Sequence, residues 1–234
     1  MTNEPPTMSR RERLRAQTFQ EIEDESFAII DEEGVHALSI AALARSMAMS
    51  APAVYRYFPS REALVAHLVT RAYEQLVTAM NQAVEGGRRT PRTRVRLLVA
   101  AYRDWALQNR RRYGMLFGQQ AGLGSGDVSA RTPLDQAMAQ LVDLLTALPG
   151  ATPGATATSG DRTLDGQLKV WARTQQRPGT SPRTARAAIV IWTRMHGIVS
   201  LELTGIFDNQ SIEVQRLIDL EIDNAVQLLA SADS

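Results

Sequence analysis

The residues with chemistry to offer gather in one short stretch, Ser-Ala-Pro-Ala-Val-Tyr-Arg-Tyr-Phe-Pro-Ser-Arg, from Ser50 to Arg61. Tyr55 and Tyr57 bring phenolic O–H donors, and Arg56 and Arg61 bring guanidinium forks; both groups suit phosphate oxygens. Ser50, Ala51, Pro52 and Ala53 are small, and the apolar ones suit contact with thymine C5-methyl groups. Arg56 is the long donor beside them: it either reads a guanine O6/N7 pair or holds a phosphate. Tyr55 and Tyr57 either reach phosphate or pack on a neighbouring helix. This is chemistry for holding nucleic acid. Nothing comparable suggests catalysis: cysteine is absent, and His36, His67 and His196 lie far apart. Neither a G-x-x-x-x-G-K loop nor a nucleophile elbow occurs. No metal and no cofactor are expected, and a helical enzyme or carrier is the weaker reading. Salt-dependent DNA binding would separate the two.

These residues need a scaffold, and the sequence from Leu38 to Leu64 supplies it. Ser39 is placed to cap a helix, with phosphate contact as a second task. Ile40, Leu43 and Ala44 then share a face. Met47-Ala48-Met49 is long enough only for a turn. Ser50 is placed to cap again, with Pro52 in the first turn, where its missing N–H costs little, and with Val54 and Phe58 inward. Pro59-Ser60 ends this helix and starts a third. Two short helices joined by so tight a turn form the helix-turn-helix pattern, whose second helix enters a DNA major groove. A preceding helix runs to about Glu33 with Phe19, Ile22, Ser26, Ile29 and Ile30 inward, and Gly34 closes it. Arg10, Arg11, Arg13 and Arg15 form an arm at its start, either laid on phosphates or solvated. Acids crowd the stretch from Glu21 to Glu33, forming either an acidic flank turned away from DNA or a plain solvated face.

The wording from Ser50 to Leu64 closely resembles the tetracycline-repressor (TetR) family of bacterial regulators. Tyr55, Phe58 and Arg61 match the Tyr-x-x-Phe run at the end of its recognition helix and the basic residue opening the next one. The resemblance implies that Tyr55, Tyr57 and Arg61 position the protein on phosphates while Ser50, Ala51, Pro52, Ala53 and Arg56 face the bases. The family often has glycine where Ala48 stands; a positive φ there would cost alanine about 1 kcal/mol. Further on, Trp192-Thr-Arg-Met-His196-Gly197 resembles the Trp…His-Gly signature of one subgroup of the family's C-terminal domains. That implies a homodimer whose last two helices pair across a two-fold axis, with Trp192, His196, Gly197, Val199, Leu203, Ile218, Ile222 and Val226 at the interface. His196 is expected to donate to a carbonyl across it or, alternatively, to serve as a polar anchor for an effector. A small apolar or amphipathic effector is implied, with Tyr102, Trp105, Tyr113, Phe117, Met138 and Trp171 as pocket walls or, alternatively, as plain core. The implied function is a repressor released from a palindromic operator by that effector. An activator, or a member without effector control, stays open.

At the scale of the chain, 234 residues with 44% apolar content are enough for an all-α protein of one large or two small domains. A DNA-binding domain is expected over 1–68 and an effector-binding and dimerisation domain over 69–234, with a long helix from Ser60 to Glu85 shared between them. Further helices are expected from Thr90, over Tyr113–Phe117, Pro133–Leu148, Leu164–Gln175, Pro182–Phe207 and Ser211–Ala230. A loop is expected from Gly118 to Arg131, and 149–181 reads as a mobile insertion. Net charge is only +1, so the arrangement of charge matters, not its total. The arginines from 88 to 112 are expected to be mostly solvated, with a few between 103 and 112 near the acids of the first helix. No run approaches a membrane span of roughly 18 apolar residues. With no signal-peptide pattern and no cysteine, the expected location is cytoplasmic.

Overall fold

The computed structural model describes residues 9–118, 128–149 and 161–230. Every regular element among them is a helix: α1 (Arg10–Glu33), α2 (Ile40–Ser46), α3 (Ala51–Tyr55), α4 (Arg61–Val84), α5 (Pro91–Gln108), α6 (Arg110–Phe117), α7 (Val128–Thr146), α8 (Arg162–Thr174), α9 (Pro182–Leu203) and α10 (Val214–Ala230). The chain is all-α. Residues 1–8 and 150–160, the latter within the expected insertion, lie outside the described residues, as does most of the expected loop after Gly118. The chain divides into two compact units, Met1–Ala72 with Asn109–Ala130, and Tyr73–Gln108 with Arg131–Ser234. The division between the units falls inside α4, and α6 groups with the first unit.

In the first unit, α1 opens with a capping box. The Ser9 hydroxyl accepts the Glu12 N–H at 3.3 Å, and the Glu12 carboxylate accepts the Ser9 N–H at 2.8 Å. Gly34, at φ +92°, ends the helix as expected. The buried stripe is Ile22, Glu23, Ser26, Phe27 and Ile30. Phe27 is the inward residue where Ile29 was expected, and Ile29 is half-buried. Leu38, Leu43, Val54, Leu64 and Leu68 are fully buried, so α2, α3 and the start of α4 close one small core. The α6 helix is tied to α1 by Arg112, whose Nε donates to Asp31 at 2.9 Å while its guanidinium lies 4.1 Å over the Phe27 ring. One arginine of the expected group does meet the acids of the first helix.

In the second unit α9 packs against α5, α8 and α10. Leu98, Val99, Tyr102, Ala188, Ile191, Met195 and Ile218 fill the space between them. Arg103 pairs with Glu202 at 2.8 Å, and Arg96 with Asp223 at 2.7 Å. Three helix ends depart from expectation. The α7 helix starts at Val128 and carries Pro133 inside it. The α9 helix stops at Leu203, because Gly205 turns to φ +77° and returns its N–H to Glu202. The last helix starts at Val214, not Ser211.

Candidate nucleic-acid interface

The helix pair is built as the sequence dictates. Ser39 caps α2, its hydroxyl accepting the Ala42 N–H at 3.0 Å. The α2 helix ends in a Schellman motif: Met49 N–H reaches Ala44 O at 2.8 Å and Ala48 N–H reaches Arg45 O at 3.2 Å. That motif needs its C′ residue in the left-handed region, and Ala48 sits there at φ +51°. The turn keeps the geometry glycine would give it, with alanine bearing the strain. Ser50 precedes α3 but makes no side-chain cap bond, a correction to its expected role as a cap. Pro52 is in the first turn instead, where no N–H needs a partner.

Val54 and Phe58 anchor this unit from below. Val54 is fully buried, and the Phe58 ring stacks on Phe19 at 5.1 Å and approaches the His67 ring at 5.3 Å. With that face fixed inward, the opposite face is presented to solvent. Ser50, Pro52, Tyr55 and Arg56 are exposed, and Ala51, Ala53 and Tyr57 are half-buried. Tyr55 is 50% exposed, high for an aromatic residue. Tyr57 and Arg56 border a cleft of about 470 Å³ whose other wall is Arg11, Leu14, Arg15 and Thr18 of α1. Two arginines of the arm thus stand beside the arginine of the recognition helix. A concave surface rimmed by three guanidinium groups is matched to a phosphate strand.

Arg61 is placed differently from expectation. Its Nε donates to Leu38 O at 2.6 Å and its Nη2 to Val35 O at 2.8 Å. Those carbonyls precede α2 and lack helical partners, so the fork braces the α1–α2 connection. The amino end of α4 also has its own anion: the Glu62 carboxyl is held below the usual range by its own backbone N–H, then by the Ser60 hydroxyl. Arg61 thus commits Nε and Nη2 to the scaffold, a task the sequence did not show.

Sequence reasoning missed Glu23. It is 3% exposed, with Arg71 Nε at 3.0 Å and the His67 ring at 2.8 Å. Burial pushes its carboxyl upward, but hydrogen bonds from Arg71 and then His67 outweigh that, and its pKa is lowered. The stretch from Glu21 to Glu33 is therefore not uniformly a solvated face. The i, i+4 spacing of His67 from Arg71 was the one available signal.

The residues expected elsewhere divide as follows. Tyr102, Trp105 and Tyr113 are buried, and Phe117 packs on Tyr113 with ring centroids 4.8 Å apart. Met138 and Trp171 are half-buried. Tyr102 and Trp105 belong to the second unit, Tyr113 and Phe117 to the first. Tyr102 is a core residue whose O–H pairs with His196 Nδ1 at 2.9 Å, since a buried phenol needs a partner. His196 therefore has a partner inside its own chain through Nδ1, which sequence reasoning did not foresee. Trp192 stacks on His196 and meets Tyr102 edge-on, so the Trp…His pair builds a joint between α5 and α9. Burial alone holds the His196 pKa below its usual value. Val199, Ile218 and Ile222 are buried within the single chain by the packing of α9 on α10; they are core, not free interface. Trp192, His196, Gly197, Leu203 and Val226 are half-buried. Leu201, Ile206 and Leu220, not anticipated, are large apolar residues left exposed.

Comparison with known proteins fits this geometry. Residues 22–68 match the model described as bacterial regulatory proteins, tetR family, and residues 95–225 match the tetracyclin repressor-like C-terminal domain. This chain belongs to the TetR family. As a TetR-family member it is a DNA-binding transcriptional regulator. It is 24% identical over 190 residues to an uncharacterized HTH-type transcriptional regulator of Mycobacterium tuberculosis, covering 81% of this chain and 72% of that one. The crystal structure of regulatory protein SCO4313 superposes with a TM-score of 0.75 at 30% identity, covering 94% of this chain and all of the other. PfmR of Thermus thermophilus, a TetR family transcriptional regulator, shares the fold at a TM-score of 0.55 and 15% identity, over 88% of this chain and 97% of its own. Among the described residues no helix is long and apolar enough to cross a membrane.

Proposed function

We propose that this TetR-family regulator is a cytoplasmic homodimer that represses by holding a palindromic operator and is released by a small-molecule effector, without cofactor or catalysis. The observation that carries the DNA side is the exposed α3 face beside the arginine-rimmed cleft. Ser39, Ser50, Ala51, Pro52, Ala53 and Arg56 lie at the bases or flanking phosphates, and Tyr55 and Tyr57 on the backbone. Arg61 acts through the carbonyls it braces. Two such heads related by a two-fold axis would read half-sites about 34–36 Å apart. Among the described residues nothing outside its own helix lies within 4 Å of where a Cβ of Gly197 would stand, which leaves room for a second copy's α9 to approach closely. Release follows if the effector binds better to a conformation in which the two heads no longer match that spacing.

The test is selection of bound DNA from a random duplex pool, followed by affinity across a salt series. An inverted repeat is expected, with log affinity falling linearly as log salt rises. Arg56→Ala should either relax preference at one base position or reduce the salt slope by about one, which separates base reading from phosphate contact. Loss of enrichment, or a site indifferent to both Tyr55→Ala and Arg56→Ala, would overturn the assignment.

A further inference from the structure

A second cleft, of about 370 Å³, lies between α7 and the turn that ends α8, far in sequence from the helix pair. Asp135 and Gln136 come from α7, and Thr174, Gln175, Gln176 and Arg177 from the turn. The turn is a Schellman motif: Gln176 N–H bonds Arg173 O and Arg177 N–H bonds Ala172 O, each at 2.9 Å. Gln176 takes the left-handed position at φ +56°, which a non-glycine residue occupies only at a cost of about 1–2 kcal/mol. Arg177 forks onto Asp143 of α7, Nε to Oδ1 at 2.6 Å and Nη2 to Oδ2 at 2.7 Å. That fork ties the turn to α7 and pairs the charge of the one arginine that lines the cleft among the described residues.

Gln175 is the informative residue. It is 8% exposed, and its Oε1 is buried without a hydrogen-bond donor. The orientation of the amide is set by its neighbour. Thr174 Oγ1 already donates to Trp171 O at 2.7 Å, so it can only accept from Gln175 Nε2 at 3.4 Å. The oxygen is the atom left over. A second buried amide oxygen without a donor, Gln140 Oε1, sits one turn along α7 from Gln136. An unpaired buried carbonyl costs about 1–3 kcal/mol and calls for an explanation. The cleft is rich in acceptors: the Gln175 amide oxygen, the exposed Asp135 carboxylate, and the carboxyl end of α8 with its partial negative charge. What is missing is a donor carrying positive charge.

We propose that this cleft binds a small organic amine in its ammonium form, with N–H donated to Gln175 Oε1 and charge balanced by Asp135. The volume suits a compact molecule of this kind, at the lower end of small-molecule sites. The bond from Gln175 Nε2 to Thr174 is long, at 3.4 Å, and the terminal torsion of glutamine is broad, so a ligand that donates to Oε1 can draw the amide out of this bond and toward the cleft without a change of rotamer. The inference is independent of the operator reading, and its test does not use DNA.

The full chain would be titrated with butane-1,4-diamine by calorimetry and thermal shift, with butane-1,4-diol as the uncharged control. Saturable binding of the diamine at one site per chain is expected, with a rise in melting temperature that the diol does not give. Asp135→Asn should weaken binding by about tenfold, the loss of one charge contact. Gln175→Met should abolish binding and leave the unliganded protein as stable as before or more so, since the substitution removes an unpaired buried oxygen. No diamine binding at millimolar concentration, equal binding of the diol, or diamine binding unchanged in both variants would overturn the proposal. If Gln175→Met proves unstable, Asp135→Asn on the exposed rim still decides it.

Discussion

Single residues in this protein carry consequences that their types alone do not announce, and Ala48 is the clearest. Its left-handed backbone lets Met49 and Ala48 return their N–H groups to α2, which sets the angle at which α3 leaves. Glycine would hold the same turn without a Cβ clash, gaining about 1 kcal/mol in the native state and returning part of it as unfolded-chain entropy. Ala48→Gly should therefore raise stability by about 0.5 kcal/mol, with operator affinity unchanged, as read by urea unfolding and by DNA titration. A loss of stability would mean that the turn relaxes in solution to a conformation alanine tolerates. The strain was legible in the sequence because the motif is local: a three-residue turn between two short helices leaves one place for a positive φ. Arg61 was not legible in the same way. Its partners are backbone carbonyls of residues 35 and 38, and no residue type advertises a carbonyl in need of a donor. Arg61→Ala would weaken the fold as well as any DNA contact, which makes Arg56 and Tyr55 the cleaner probes of recognition.

Between elements, the joint that matters most in the first unit is α1 against α4. Glu23 of α1 is buried under His67 and Arg71, which lie 44 and 48 residues away in sequence. Helical periodicity showed where α1 would bury a stripe, but it marked a glutamate as solvent-facing, because nothing local reveals a cation supplied by a distant helix. The same limit hid the bond between Tyr102 and His196, across 94 residues. By contrast, the two helices around the turn were legible almost to the residue, since their caps, proline and inward positions are all near neighbours. The buried carboxylate makes a definite prediction. Glu23→Gln keeps the shape and removes the charge held by the Arg71 guanidinium and the hydrogen bond to the His67 ring, and should cost about 2 kcal/mol at neutral pH. The sign with pH follows from the lowered pKa. The contribution of Glu23 is complete above its ordinary value of 4.5 and is lost as pH falls through the lowered native value. The acid side of the stability curve should thus be shallower in Glu23→Gln than in the parent, measured by denaturant unfolding at a series of pH values. Parallel curves would show that the carboxylate is not coupled to folding.

For the whole molecule, the open question is what the last two helices do with the surface they leave uncovered. The faces of α9 and α10 look wider in sequence than one chain requires, and part of that width is now accounted for by Val199, Ile218 and Ile222, which close the core between the two helices. What remains is Leu201 at 46% exposure and Leu220 at 56%, with Ile206 at 50% just beyond α9. Gly197 remains as well. Glycine within a helix costs roughly 0.5–1 kcal/mol relative to alanine, and among the described residues nothing outside its own helix lies within 4 Å of where a Cβ would stand. A neighbouring helix from a second copy would use that space, by close approach at a two-fold axis. The two possibilities predict opposite signs. If Gly197 serves only its own chain, Gly197→Leu fills empty space on a helix surface and should leave the protein as stable as before or more stable, by up to about 1 kcal/mol, with mass unchanged. If a second α9 packs there, the leucine meets that helix at its closest point. The variant should then elute and sediment as a folded monomer with unaltered helical signal, and lose most of its affinity for an inverted repeat while keeping weak, salt-sensitive binding to a single half-site. That second outcome is the one expected, because an isolated recognition head keeps its phosphate contacts but loses the partner that doubles them.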